Sequence, residues 1–233
     1  MKAGIFAAGT GSRFLEAGWR EPKPLIRIQG RPLISYLLDN LFQAGVDRTE
    51  VLLNEEPRFD AVEQYLSERP EARRIHVSRK TTASSYESFA FLMERLGDPP
   101  YLLTTVDTIV SGRELKALLA VGSYPAECSL VLAVTKFVED TKPLWVELSE
   151  TGRVDRIGSS VCGRQWVTAG LYLVLKDLPG LAAGRTVPAL RNYLEWVVDR
   201  VCVWGKEFAM ALDIDSPEDV RLAERFARGP SLV

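Results

Sequence analysis

Residues 2–33, KAGIFAAGTGSRFLEAGWREPKPLIRIQGRPL, constrain the fold more than any other stretch of the chain. Ala3 to Ala8 form a short apolar run with the length and character of a buried strand. A loop of small residues, Gly9-Thr10-Gly11-Ser12, follows at once and runs into Arg13. Glycine lets backbone N–H groups converge on an anion, because no Cβ blocks the approach and positive φ costs little. Arg13 adds a planar fork suited to phosphate oxygens. Further on, Lys23 stands between Pro22 and Pro24, which stiffen the chain around a compact positive charge. These residues predict a strand-and-loop apparatus for holding a polyphosphate.

Two better-known phosphate loops are excluded. No GxxxxGK[ST] is present, and Phe14 stands where the dinucleotide fingerprint wants its third glycine. Ala7-Ala8-Gly9-Thr10-Gly11-Ser12-Arg13, Pro22-Lys23-Pro24-Leu25 and Gly30-Arg31-Pro32-Leu33-Ile34 instead resemble the AAGxGxR and PKxLxxxxGxPLI motifs of the nucleotidyltransferase superfamily with a GT-A-like fold. The likeness is to its sugar-phosphate nucleotidylyltransferase-like members. It implies a single α/β domain, a Rossmann-like three-layer sandwich with a mostly parallel mixed sheet and helices on both faces. It also implies nucleotide binding by Ala7, Ala8, Gly9, Thr10, Gly11, Ser12, Arg13 and Lys23, with Arg13 and Lys23 catalytic.

Composition narrows the chemistry. A chain of 233 residues, 46% hydrophobic and 26% charged, can bury a substantial core. A net charge of −2 argues against a nucleic-acid polymer as partner. Cys128, Cys162 and Cys202 are far apart in sequence and form no CxxC pair, which argues against a disulfide framework or cysteine zinc site. His76 is the single histidine, leaving oxygen ligands and hard cations as the expected metal chemistry. No charged n-region with a long apolar stretch opens the chain, and no run suits a bilayer, so a cytoplasmic protein with no membrane partner is expected.

Hydrophobic spacing predicts a helix over Pro32–Gln43 ended by Gly45, a strand over Glu50–Leu53, a helix over Arg58–Glu68 and a strand over Arg74–Ser78. This alternation predicts a mostly parallel sheet with right-handed crossovers. Thr81-Thr82-Ala83-Ser84-Ser85 leads into the next helix, either as an ordinary N-cap or as a loop that meets the nucleotide. Tyr101–Val106 reads as a strand buried on both faces that delivers Asp107 to its C-terminal end, where open α/β sheets bind ligands. Ser111 suits the cap of a helix around Arg113–Ala120. Strands follow at Ser129–Thr135, Leu144–Leu148, Val154–Ile157 and Trp166–Leu175, with a hairpin turn at Thr151-Gly152. A helix is expected over Val187–Arg200 with Pro188 in its first turn. Ala209–Asp219 resembles the family's closing D-x-D/G-[ST]-P-E-D, which implies a strand that ends in acids and enters the last helix. Ser216 and Asp219 suit the helix cap, and Asp213 and Asp215 alternate onto one face of an extended strand.

The resemblance gives these positions roles. It implies that Thr82 and Ser84 belong to a base-reading loop, and that Asp107 holds Mg²⁺ with Asp213, Asp215 or both. Val106 stands where the family usually has glycine. Val167-Thr168-Ala169-Gly170-Leu171-Tyr172 resembles the acceptor-side strand, so Thr168, Ala169 and Gly170 are expected at the acceptor. Gly158-Ser159-Ser160 replaces the family's Glu-Lys-Pro, leaving Arg164 or Arg156 to meet the acceptor phosphate. The implied reaction moves a nucleoside monophosphate from a nucleoside triphosphate to a small phosphorylated acceptor, a sugar 1-phosphate or similar, and releases pyrophosphate. Residues 1–125 would form the nucleotide half and 126–233 the acceptor half. The base, the acceptor and the oligomeric state stay open. The motif LAGGxSxRMGxDK of molybdopterin-type nucleotidyltransferases fits less well, and Asp107-Thr108-Ile109 is not the DxD of a glycosyltransferase. A non-catalytic regulatory protein of this fold is the remaining rival, against which stand Gly11, Arg13, Lys23, Asp107 and Asp213. The carboxylates of Asp107 and Asp213 are expected to meet near Gly11 and Lys23.

Overall fold

A computed structural model of the chain describes residues 1–138, 143–158, 161–163, 165–180 and 187–226. Its first half contains β1 (Lys2–Ala7), a short hairpin of β2 (Arg27–Ile28) and β3 (Arg31–Pro32), then β4 (Arg48–Leu53), β5 (Ile75–Arg79) and β6 (Tyr101–Thr105). β1 lies between β4 and β6 and runs parallel to both, with β5 parallel beyond β4. The crossovers are α2 (Leu33–Gln43), α3 (Asp60–Ser67) and α4 (Ser85–Leu96), and α1 (Ser12–Glu16) follows the glycine loop. α2 starts one residue later than expected, because Pro32 pairs in β3 and serves as the N-cap. Pro57–Phe59 form a 3-10 turn ahead of α3.

β6 ends at Thr105, and Val106 and Asp107 turn the chain into β7 (Thr108–Val110), a strand not expected from the sequence. α5 (Gly112–Leu118) follows with Ser111 as its cap, the hydroxyl accepting from Glu114 N–H at 3.3 Å. The second half adds β8 (Cys128–Thr135), the hairpin β9 (Trp145–Leu148) and β10 (Val154–Ile157), and β11 (Trp166–Val174). β11 is antiparallel to β6, β8 and β9 and joins the two halves into one mixed sheet. α6 (Leu190–Val197) is shorter than the expected helix, and Pro188 lies before its Ala189 cap, not in its first turn. β12 (Cys202–Phe208), also not anticipated, pairs parallel with β8 and makes Cys202 the register partner of Cys128. Two cysteines distant in sequence are thus neighbours in the sheet. β13 (Ala211–Asp213) and α7 (Pro217–Phe226) complete the described chain.

Alternation along the strands sends side chains to two cores, which is what gives three layers. Ile5, Leu102 and Leu171 face α2, α3 and α5. Leu103, Leu132 and Tyr172 face α4 and α6. A third, smaller cluster joins Phe14 of α1, Ile28 of β2, Ile109 of β7, Leu212 of β13 and Val220 of α7. Burying each such side chain contributes about 1.5–3 kcal/mol. This third cluster is the floor on which the charged residues below are mounted. Among the described residues, no helix is long and apolar enough to cross a membrane.

Candidate active site

The glycine loop leaves β1 and bends at Gly11, whose φ of +63° places it in the left-handed region that favours glycine. Two side chains brace it from outside. Asn54 Nδ2 donates to Ala8 O at 3.2 Å, and an Arg58 guanidinium nitrogen donates to Thr10 O at 2.9 Å. Arg58 is itself held by Glu56 at 2.7 Å. Neither brace was identified from the sequence, since both sit on the segment after β4 without a motif of their own.

Lys23 opens a 3-10 turn after Pro22 and is buried. Its ammonium pairs with Asp107 at 2.5 Å and also with Asp215, and Arg13 reaches Asp215 at 2.9 Å. Burial opposes the lysine's charge, but the carboxylates of Asp107, Asp213 and Asp215 outweigh it and hold its pKa above the ordinary lysine range. Burial likewise pushes Asp107 upward. The Lys23 ammonium and the Thr105 hydroxyl prevail and keep its carboxyl below the usual aspartate value.

Backbone pairing explains how two acids from distant parts of the chain converge. β7 and β13 are antiparallel with Asp213 opposite Thr108, and Ile214 N–H donates to Asp107 O at 3.0 Å. Asp215 follows directly, and its own N–H is tied to Asp219 Oδ2 at 2.9 Å. Asp219 also accepts from the N–H and hydroxyl of Ser216, so it caps α7 as the sequence suggested. One carboxylate oxygen from each of Asp107, Asp213 and Asp215 lies within 4.8 Å of the others. The expected meeting of Asp107 and Asp213 beside Lys23 is present. An all-oxygen set of this size suits a hard divalent cation such as Mg²⁺, with water or substrate oxygens completing the shell.

Two cavities open on this cluster and share Asp107 and Asp215 as a common wall. One, of about 320 Å³, is lined by Gly9, Thr10, Gly11, Ser12, Arg13 and Lys23. The other, of about 280 Å³, is lined by Thr168, Ala169, Gly170 and Tyr172 of β11, with Asp213 and Arg191 also on its wall. Gly170 is required here. Its φ is +72°, the register of β11 against β8 shifts between Thr168 and Tyr172, and a Cβ would lie 2.6 Å from the hydroxyls of both Thr105 and Thr108.

The remaining expected residues fall elsewhere. Ser84 caps α4 by accepting from Glu87 N–H, and Thr82 shares a hydrogen bond with Ser88 at 2.7 Å. Ser85, the last of that hydroxyl run, is the member that lines the second cavity. Arg156 of β10 faces Glu147 across the hairpin on β9, at 4.0 Å. Arg164 lies outside the described residues. Arg191, missed in the sequence, stands on the cavity wall at the start of α6, and nothing local distinguished it from a solvated helical arginine.

A family model described as the MobA-like NTP transferase domain matches residues 3–195. The chain belongs to this NTP transferase family. Its match covers β1, the glycine loop, Lys23, Asp107 and β11, whereas Asp213 and Asp215 lie beyond it. A bifunctional IPC transferase and DIPP synthase of Rubrobacter xylanophilus is 26% identical over 97% of this chain and 52% of its own length. A CMP-5'-(3-aminopropyl)phosphonate synthase of Streptomyces rubellomurinus is 24% identical over 96% of this chain and 38% of its own length. The chain thus spans about half or less of these curated relatives. The solved inositol-1-phosphate CTP transferase of T. maritima shares the fold of this chain, with a TM-score of 0.79 at 22% identity over 98% of this chain and 96% of the other.

Proposed function

We propose that the chain transfers a nucleoside monophosphate from a nucleoside triphosphate to a small phosphorylated acceptor and releases pyrophosphate. The observation that carries this reading is the pair of cavities meeting at Asp107 and Asp215. One has the glycine loop and two cations suited to a triphosphate, and the other is a separate chamber on the far side of the acids.

An acceptor phosphate needs little activation, since its second pKa of about 6 leaves it largely dianionic at neutral pH. The protein's task is alignment and charge compensation. In this reading the acceptor oxygen bonds to the α-phosphorus, and the bond from that phosphorus to the bridging oxygen breaks. The electron pair leaves on pyrophosphate. Arg13 and the loop N–H groups hold the β- and γ-phosphates, and Lys23 turns from its carboxylates toward the α-phosphate. Thr168, Ala169 and Gly170 border the acceptor. Residues 1–125 thus act as the donor half and 126–233 as the acceptor half, with Asp213 and Asp215 reaching back. Asp107, Asp213 and Asp215 would hold Mg²⁺, which offsets the charge that builds on the phosphoryl oxygens.

The test is a pyrophosphate-release screen of four nucleoside triphosphates against phosphorylated acceptors, with Mg²⁺ and with EDTA. The panel holds hexose 1-phosphates, inositol 1-phosphate, phosphocholine, an aminoalkyl phosphonate and a molybdopterin. Release by one pair that depends on both Mg²⁺ and acceptor supports the reading, whereas triphosphate binding without release from any pair refutes it.

A further inference from the structure

We propose that Arg191 is the residue that binds the anionic phosphate of the acceptor and thereby selects phosphorylated over unphosphorylated acceptors. This rests on the nucleotidyl-transfer reading above. Three carboxylates stand at the junction of the two cavities, and the two cations beside them, Arg13 and Lys23, line the triphosphate side. A phosphate dianion entering the other chamber adds negative charge to a wall that already holds Asp107, Asp213 and Asp215. Among the described residues lining that chamber, Arg191 is the one basic side chain. Its planar guanidinium suits phosphate oxygens better than a point charge would.

The fold holds Arg191 there for a visible reason. α6 begins at Leu190, whose N–H donates to Ser85 Oγ at 2.9 Å, so the starts of α4 and α6 are tied together at one corner of the chamber. Arg191 is the next residue. Tyr172, on the chamber floor, lies within electrostatic reach of Asp107, Asp213 and Arg191 alike, which puts the guanidinium in the same field as the acids. Of the two arginines expected from sequence, Arg156 faces Glu147, and Arg164 lies outside the described residues.

The experiment has two arms. In the first, KM values for acceptor and triphosphate are measured separately for wild type, Arg191→Ala and Arg191→Lys. Arg191→Ala should raise the acceptor KM about 10- to 100-fold, as for loss of charge-assisted hydrogen bonds, with the triphosphate KM unchanged and Arg191→Lys in between. In the second, binding of glycerol 1-phosphate and of pyrophosphate is measured by calorimetry without turnover. Arg191→Ala should weaken glycerol 1-phosphate and spare pyrophosphate, and Arg13→Ala should do the reverse. Equal glycerol 1-phosphate affinity in wild type and Arg191→Ala, or a wild type that does not bind it, overturns the proposal. Pyrophosphate release with an unchanged acceptor KM in Arg191→Ala removes Arg191 and leaves nucleotidyl transfer standing. Absence of release from every pair removes nucleotidyl transfer, and the binding arm still decides whether Arg191 holds a phosphate ester.

Discussion

Lys23→Met keeps most of the side chain's length and removes its charge, leaving three carboxylates to face one another. At an effective dielectric of about 20, two unit charges within 4.8 Å of each other repel by about 3.5 kcal/mol or more, a repulsion that the Lys23 ammonium offsets in the wild type and the variant leaves uncompensated. Asp215 has a side chain 34% exposed, so water screens much of its share, and the estimate rests mainly on buried Lys23 and Asp107. A net loss of about 3 kcal/mol follows, the size expected when one partner of a buried pair is removed. For a chain of this length that is a fall of about 6–12 °C in Tm. The assay is thermal melting of wild type and Lys23→Met in EDTA and in 10 mM Mg²⁺. The variant should recover more from Mg²⁺ than the wild type, because a divalent cation at the three acids replaces the missing charge. Turnover in Mg²⁺ should still fall by about 10²–10³-fold, as for loss of a preorganised charge at the reacting phosphate. A variant that melts within 2 °C (about 1 kcal/mol or less) of the wild type in EDTA would refute the electrostatic reasoning, as would equal Mg²⁺ shifts in both proteins.

Gly170→Ala combines a positive φ with a Cβ 2.6 Å from two hydroxyls, so it should cost about 1–3 kcal/mol by urea unfolding and raise the acceptor KM more than the triphosphate KM. Arg58→Ala frees the carbonyl of Thr10 from its brace, and kinetics should show a triphosphate KM several-fold higher with the acceptor KM unmoved. Asp107 has a folded-state pKa depressed below its ordinary 3.8, so its contribution to stability is complete above that value and is lost as pH falls through the lower folded-state value. Urea titrations from pH 7 to pH 3 should therefore show a smaller acid loss in Asp107→Asn than in wild type, and parallel curves would contradict the assignment.

What the sequence conveyed depended on how local each signal was. β1, the glycine loop and the Lys23 segment are short-range features, and strand, glycine and proline each announce themselves within a few residues. The caps at Ser111 and at Ser216 with Asp219 were legible for the same reason. β7 was missed, since a strand of three residues is too short to show a period, and the equally short β13 was expected only through the family's closing motif. The approach of Asp107 to Asp213 could be expected only through family resemblance. β12 reads CVWGKEF, too polar for a buried strand and too irregular for strict alternation. Arg156 and Arg164 drew attention because they precede β11 in sequence, whereas strand pairing sends Arg156 toward Glu147 and a separate helix supplies Arg191.

The cluster of Phe14, Ile109, Leu212 and Val220 under the site has a consequence for how the protein comes into being. These side chains leave the ribosome at widely different times, because Asp107 and Asp213 are separated by nearly half the chain. At about 5–20 residues per second the interval between the two acids is about 5–20 s, long enough for β1, β4, β5 and β6 to pair first. During that interval Asp107 is the one acid of the cluster available to Lys23. A newborn chain therefore holds the glycine loop, Lys23 and Asp107 before it holds the complete set of acids, and Asp213 and Asp215 arrive as the closing pieces, with Leu212 and Val220 of the floor. Any product that stops short of β13 would lack Asp213 and Asp215 together with the Leu212 and Val220 part of the floor beneath Phe14, so the site is the last part of the described fold to be completed.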